Sequence, residues 1–383
     1  MRSEKICVLT QPLWNNYGAL LQAWALQQVV LKAGYEVVTD RFPRRFPSFL
    51  SNNIDRAKRI VAHYLLGRKS VNPFPFYPSE RDWKTISENT ETFVQNNIST
   101  IDFFEGNVFP SESNIAKFDT FIVGSDQVWR DSYGRVESYF CDFAKGKNKK
   151  LISYAASFGL SSWQFDAKRT ENLVRLATDF QAISVREDDA VALCDKYLKK
   201  EALNVLDPTL LLNSEDYDRL IEKADLSESE GDMMVYILDE NQEKQDLIDK
   251  VSRKLNLKAF TVMPDKVLGK DTRRCDSRCV YPKVEKWLKG FKDAKFVLTD
   301  SFHGMVFAII YRKPFAVIAN KKRGVARFTS LLSAIGLDDR LFFESDLENL
   351  DLIVTKCDFE DAERRLYELK NLSLQFLTSN LEN

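Results

Sequence analysis

Only two histidines occur in the 383 residues of this chain, and one of them, His303, stands in TDSFHGMVFAIIYRKPF (299–315), directly after the apolar run FVL. That places an imidazole in the turn between a buried strand and an apolar helix. Such a ring can give or take a proton near neutral pH. Asp300 or Ser301 would cap a helix over 303–312, and its first amides would offer an anion site at the same edge. A structural histidine bonded to Asp300 or to a backbone carbonyl fits the same spacing, so both readings stand.

Arg186 follows the strand-like AISV and precedes the helix-like EDDAVALCDKYL. A guanidinium there could grip a carboxylate or phosphate through two parallel hydrogen bonds, or it could pair with Glu187 or Asp126. A second set of cations, Lys321, Lys322, Arg323 and Arg327, follows the strand-like PFAVIA. It would border the same site if the ligand is anionic, and it is otherwise a solvated charge run. Asp188 and Asp189 sit at a helix start, where acids complement the dipole. No metal site and no cofactor are expected.

Several apolar runs end alike. KICVLT leads into QPLWNNYG, TFIVG into SDQVW, LISYA into ASFG, QAISV into RE and KFVLT into DSFHG. A strand needs none of these polar or small residues for its stability. Each alone could be a cap or a turn, but five on one predicted edge point to a site. The expected lining is Asn16, Tyr17, Gly18, Ser125, Asp126, Gln127, Ser157, Phe158 and Asp300, with Ser301 beside the cations.

Short β-branched runs alternate with longer amphipathic segments along most of the chain, the pattern of parallel α/β units. Residues 5–10 read as a buried strand, 19–34 as a helix stopped at Gly34, and 35–40 as the next strand. Residues 41–80 break the rhythm with the basic, aromatic RFPRRFPSF, a helix-like IDRAKRIVAHYLLG and a proline-rich stretch. Strand-like runs return at 119–129, 150–159, 181–187 and 203–212. A second alternating block covers 233–320, after an acidic break near 205–230 that is expected to be exposed. The expected architecture is α/β, with two Rossmann-like domains facing across a cleft. Residues 1–205 form the N-terminal domain and 206–383 the C-terminal one, whose last helix packs back on the first. In open α/β sheets, ligands bind outside the carboxyl ends of the strands.

A formal net charge of −1 with 44% hydrophobic and 29% charged residues marks a globular protein with no global attraction to nucleic acid. The apolar run near the N-terminus breaks at Gln11 and Pro12, and no later run reaches the ~18 apolar residues of a membrane span. A cytoplasmic protein is expected. Its six cysteines read as reduced thiols, with Cys275 and Cys279 lacking the further ligands that a metal would need. Arg41, Arg44 and Arg45, set among Phe42, Phe46 and Phe49, could touch the inner membrane face or a lipid-linked diphosphate. An ordinary surface loop is the alternative.

The chain resembles the polysaccharide pyruvyl transferase family. The resemblance runs through LTQPLWNNYGALLQAWALQ (9–27), VGSDQVWR (123–130), ISYAASFG (152–159), ISVRE (183–187), DPTLLL (207–212), TDSFHGMVFAIIYRKPF (299–315) and RFTSLLSAIGLDDRL (327–341). It implies a fold similar to GT-B glycosyltransferases. It also implies transfer of a pyruvate ketal (carboxyethylidene) group from phosphoenolpyruvate to a sugar acceptor, free or lipid-linked, of a cell-surface polysaccharide precursor. His303 would then be the acid/base and Arg186 would grip the donor. Where members of the family carry arginine–aliphatic–histidine, this chain has Ser301–Phe302–His303. The missing charge would come from Lys321, Lys322, Arg323 or Arg327, or else the donor differs. Two alternatives remain. A GT-B-like glycosyltransferase using a nucleotide sugar would place an acid such as Glu285 or Asp300 near the ribose. A glycan- or anion-binding protein without turnover would keep the cleft alone.

Overall fold

The computed structural model describes residues 4–382, apart from 47, 135, 320–323, 344, 345, 347 and the side chain of Phe49. Lys321, Lys322 and Arg323 therefore lie outside the described residues. Seven strands form one sheet: β1 (Lys5–Leu9), β2 (Glu36–Asp40), β3 (Thr100–Ile101), β4 (Thr120–Asp126), β5 (Lys150–Ala156), β6 (Ala182–Val185) and β7 (Leu203–Asn204). Five form a second: β8 (Met233–Tyr236), β9 (Ala259–Phe260), β10 (Phe296–Thr299), β11 (Phe315–Ile318) and β12 (Leu341–Phe342). All pairings are parallel. The inner strands β4, β8, β10 and β11 are buried along their whole length. Their near-continuous apolar sequences follow from having both faces covered by helices.

The strand orders are β3-β2-β1-β4-β5-β6-β7 and β12-β11-β10-β8-β9. Each sheet reverses direction once, at β1/β4 in the first and at β8/β10 in the second. Such reversals leave a crevice at the strand C-termini, and here the two crevices face one another. The fold is GT-B-like.

Helix α1 (Tyr17–Lys32) begins at one crevice, capped by Asn16, whose Oδ1 accepts the Ala19 amide at 3.2 Å. Every residue from Tyr17 to Gln27 is buried. Aromatic rings tie this helix to the second half of the chain: Tyr17 stacks on Trp287 at 5.5 Å, and Tyr217 bridges Trp24 at 5.4 Å to Phe307 at 5.0 Å. The Tyr17 hydroxyl donates to Pro282 O at 2.9 Å. The Phe359–Glu382 helix returns to the first sheet, where Ser373 Oγ accepts the Leu206 amide at 3.0 Å and Lys150 Nζ donates to Leu381 O at 2.9 Å.

Three segments depart from the expected elements. The strand expected over 203–212 is only the two residues of β7; one further ladder bond follows, from the Val205 amide to Val185 O at 2.9 Å, and Pro208 beyond it has no amide to give. Asp207 instead caps a 3-10 turn at Pro208–Leu211. Within the second alternating block, the apolar run LKAFTVM (257–263) is a strand only over Ala259–Phe260, at the sheet edge. The acidic stretch expected to be exposed contains a helix, Ser214–Glu222, started by an Asn213/Asp216 capping box and anchored by buried Tyr217 and Leu220. Among the described residues, no helix is long and apolar enough to cross a membrane. All six cysteines are free thiols.

Candidate active site

The crevices meet in a cavity of about 530 Å³. Gln11 and Pro12 after β1, Asp126 ending β4, and Tyr236 and Leu238 around the end of β8 all line it, with Asn16 and Tyr17 from the start of α1. Asn16, Tyr17 and Asp126 thus line this cavity. Asp126 holds φ 70°, a left-handed conformation rare for a side-chain-bearing residue and concentrated at functional sites. Its Oδ1 accepts the Gln127 amide at 2.9 Å.

Behind Asp126 lies a buried charge network. Arg186 Nη2 is 3.6 Å from Asp126 Oδ1, and its Nη1 donates to Asp207 Oδ2 at 2.8 Å. Asp207 Oδ2 also accepts from Ser125 Oγ at 2.8 Å, while Oδ1 accepts from the Thr209 amide at 3.0 Å and the Thr209 hydroxyl at 2.7 Å. From the opposite sheet, His303 Nε2 approaches the same Asp207 Oδ2 at 3.6 Å. Burial alone would raise the Asp207 carboxyl, but His303, Arg186 and Thr209 hold it well below the usual carboxylate range. Burial also opposes the Arg186 charge, and Asp207, Glu187 and Asp126 outweigh it and push that group up.

His303 lies in the first turn of the Phe302–Ile310 helix, directly after β10. Its ring packs against Gly18 in the first turn of α1, and a Cβ on Gly18 would overlap His303 Nδ1 and Cγ. The two helix N-termini therefore converge on the imidazole. Neither open reading of Asp300 as cap or as partner of His303 holds. Its Oδ1 accepts the Leu238 amide at 2.7 Å, and its Oδ2 accepts the Asp239 amide at 3.1 Å and Lys244 Nζ at 2.7 Å. It splints the turn after β8 and is fully buried. Ser301 occupies the N-cap position but makes no capping bond with its side chain.

Phe302 covers the network. Its ring centroid is 4.6 Å from Arg186 Cζ and 5.7 Å from Arg327 Cζ. Arg327 is buried in the first turn of the Ala326–Ile335 helix. Its pKa falls to about 10 through burial and the nearby Arg186 charge. Of the cations expected to replace the charge missing at Ser301, Arg327 is the one the described structure brings beside Arg186. Glu187 completes the cluster: Ser157 Oγ donates to its Oε1, and burial raises its carboxyl above the ordinary value. Arg186 Nε and Nη2, Glu187 Oε2 and His303 Nε2 are buried without a hydrogen-bond partner among the described residues.

Ser125 and Ser157 stand one layer behind the wall, as hydroxyl partners of these carboxylates. Gln127 braces the wall, its carbonyl accepting Gln11 Nε2 at 3.0 Å and its Oε1 accepting Arg130 Nη1 at 2.6 Å. Phe158 does not reach the cavity; it packs in a ring cluster with Trp129 at 5.2 Å and Trp163 at 5.5 Å. The residue that sequence reasoning missed is Asp207. An aspartate before a proline reads as a turn former, and only its place at a strand end, shared with the five chosen runs, could have drawn attention to it.

A second cavity, of about 750 Å³, adjoins the first and shares Trp14 and Phe42 with it. Arg44 lies over the Trp83 ring at 3.8 Å and the Trp14 ring at 4.8 Å. Arg41 ion-pairs with Glu91, and Arg45 lies over Gly106, where a Cβ would overlap its guanidinium. His63, the other histidine, is tied to Val71 O at 2.7 Å.

Two parallel sheets face one another at their switch points with a histidine–aspartate–arginine network between them, a GT-B-like arrangement. A sequence model of the polysaccharide pyruvyl transferase family matches residues 16–322, and the chain belongs to that family. Comparison with curated proteins returns no match. Similar solved structures include the UDP-GlcNAc 2-epimerase from Neisseria meningitidis bound to UDP-GlcNAc, at 10% identity and TM-score 0.49, covering 99% of this chain and 100% of that one. A glycosyltransferase from Rickettsia africae ESF-5 is 8% identical with TM-score 0.48, covering 100% of each chain. The UDP-N-acetylglucosamine 2-epimerase from Rickettsia bellii is 9% identical with TM-score 0.48, covering 99% of this chain and 97% of that one.

Proposed function

We propose that the protein transfers a pyruvate ketal from phosphoenolpyruvate to two hydroxyls of a sugar in a polysaccharide precursor. The observation that carries this reading is His303 facing the ionised Asp207 between the two sheets, with Arg186 and Arg327 around Phe302 beside it. Phosphoenolpyruvate carries a carboxylate and a phosphate, so its site needs more than one cation, and it needs an acid to protonate a carbon. Arg186 and Arg327 are the cations in this reading. Nε and Nη2 of Arg186, which hold no hydrogen bond among the described residues, are the donors left for an anion.

The chemistry balances without a redox step. His303, as imidazolium, gives its proton to the methylene carbon while a sugar hydroxyl attacks the adjacent carbon, and the imidazole left behind takes up that hydroxyl's proton. A ketal phosphate results. The second hydroxyl then displaces phosphate at the same carbon, and its proton leaves on the phosphate, so that the ketal closes and hydrogen phosphate is released. Asp207 stabilises the imidazolium without accepting the proton, since its carboxyl stays ionised. The nucleotide-sugar alternative loses one of its two acids, because Asp300 is spent on the turn after β8.

Isothermal titration with phosphoenolpyruvate and, separately, with a panel of nucleotide sugars tests the reading. Phosphoenolpyruvate should bind wild type and weaken about tenfold or more in Arg327→Gln, the loss of about one charge-assisted contact. His303→Gln should bind the donor and release no phosphate with any acceptor. Binding of a nucleotide sugar alone would overturn the assignment in favour of glycosyl transfer.

A further inference from the structure

Helix α2 (Phe49–Ile60) runs into a π-helical turn at Val61–Leu65, and none of residues 50–66 is buried. The exposed apolar residues are not scattered. Leu50, Ile54, Val61, Tyr64 and Leu65 recur at the three-, four- and seven-residue spacings of one helix face, and that face is turned to solvent. Leu50 is 69% exposed and Leu65 78%, with Leu66 continuing the stripe at 62%. The inward side holds the polar bonds instead, with Arg59 Nε donating to Asp55 at 2.6 Å and Tyr77 donating to the same carboxylate.

Charge follows the stripe. Residues 41–79 contain eight Lys and Arg and a single acid, Asp55, in a chain whose formal net charge is −1. Arg56, Lys58, Arg68 and Lys69 are exposed beside or just beyond the apolar face. A protein partner would accept an apolar stripe, but the one-sided cationic excess around it calls for an extended anionic surface. Apolar side chains flanked by Lys and Arg, on a helix lying flat, are the pattern of insertion at the headgroup boundary of an anionic bilayer.

We infer that residues 50–69 form an in-plane anchor that seats this protein on an anionic membrane surface, with the Leu50–Leu65 stripe in the acyl boundary and Lys58, Arg68 and Lys69 at the headgroups. The larger cavity lies between this anchor and the catalytic crevice: Asn52 of α2 lines it, and Trp14 and Phe42 belong to both cavities. The anchor therefore turns that cavity toward the bilayer. The inference stands apart from the donor assignment, since membrane seating needs no particular chemistry in the crevice.

Co-sedimentation with vesicles of mixed phosphatidylglycerol and phosphatidylcholine, against pure phosphatidylcholine, tests it with the full chain. Wild type should pellet with the anionic vesicles, remain free of the neutral ones, and be released by raised salt. The Leu50→Glu/Ile54→Glu/Leu65→Glu variant should lose about tenfold or more in bound fraction. The Lys58→Glu/Arg68→Glu/Lys69→Glu variant should lose a similar amount. Because these side chains are exposed, circular dichroism should be unchanged. Wild type that stays in the supernatant with anionic vesicles overturns the inference, as does undiminished pelleting of both variants. Sedimentation velocity adds a third check: a wild-type dimer that the apolar variant converts to monomer, without vesicle binding, would show a second copy on this face instead.

Discussion

His303 Nε2 lies 3.6 Å from Asp207 Oδ2, and that same oxygen takes the 2.8 Å hydrogen bond from Arg186 Nη1. The histidine follows the β10 strand of one sheet and the arginine the β6 strand of the other, so a single carboxylate oxygen joins the two sheets electrically. In the proposed reaction the imidazole and the guanidinium both depend on this one carboxylate.

Asp207→Asn should therefore fail in two ways. Turnover should fall about 100-fold or more, the scale of a lost acid–base partner. The buried Arg186 would also lose its nearest countercharge, at about 3 kcal/mol. The folded carboxyl lies below its unfolded value of 3.8, so its stabilisation is complete above that pH and fades as pH falls further. Urea unfolding of both proteins should show the widest gap near neutrality and a narrowing one below pH 4. A gap independent of pH would mean the carboxylate charge is not what stabilises the site.

Gly18→Ala separates stability from chemistry. Alanine favours a helix interior by about 1 kcal/mol over glycine, so α1 itself should tolerate the change. The new methyl would collide with His303 Nδ1 and Cγ, and a displacement of about 1 Å at a catalytic group costs on the order of 100-fold. A melting temperature held within a few degrees alongside a collapse in phosphate release is the expected pair of results. Full activity would show that the imidazole can work from another position.

The β/α alternation was readable because inner parallel strands are apolar on both faces: KICVL, TFIVG and FVLT declare themselves. Elements held by a single contact did not. β7 and β9 are two residues each, set by edge pairing rather than by pattern. The candidate site was legible as strand ends, which gave Asn16, Tyr17, Asp126, Arg186 and His303. What periodicity could not convey is depth. Phe158 shares its motif with Ser157 yet turns into the Trp129 and Trp163 rings, and Asp300 turns from His303 to Lys244. Asp207 was hidden because its role depends on two residues, 21 positions upstream and 96 downstream.

Arg327→Gln should trade the other way. Burial and the Arg186 charge lower the Arg327 pKa to about 10, so the folded protein bears a cost for this cation. Its removal should leave the unfolding free energy unchanged or higher while the donor KM rises about tenfold. Equal losses of stability and donor affinity would instead mark Arg327 as a structural member of the Glu187 cluster.

Asp40 offers a test at the neighbouring cavity. Its Oδ1 accepts the Phe42 amide at 3.2 Å and the Phe103 amide at 3.1 Å, which fixes the turn that carries Phe42 at φ 48°. Burial raises this carboxyl from 3.8 to about 6, against the lowering effect of those two amides. A raised folded value means that the folded state holds its proton longer than the unfolded chain. The ionised form is therefore penalised, with no penalty below pH 3.8 and the full one above about 6. At about 1.4 kcal/mol per unit, the two units amount to roughly 3 kcal/mol. Asp40→Asn keeps an oxygen acceptor for both amides and cannot ionise. Relative to wild type it should gain about 3 kcal/mol between pH 4 and pH 7, read from denaturant unfolding at several pH values. A constant difference across that range would mean that Asp40 is solvated enough to titrate normally, and that the Phe42 turn is held by its backbone alone.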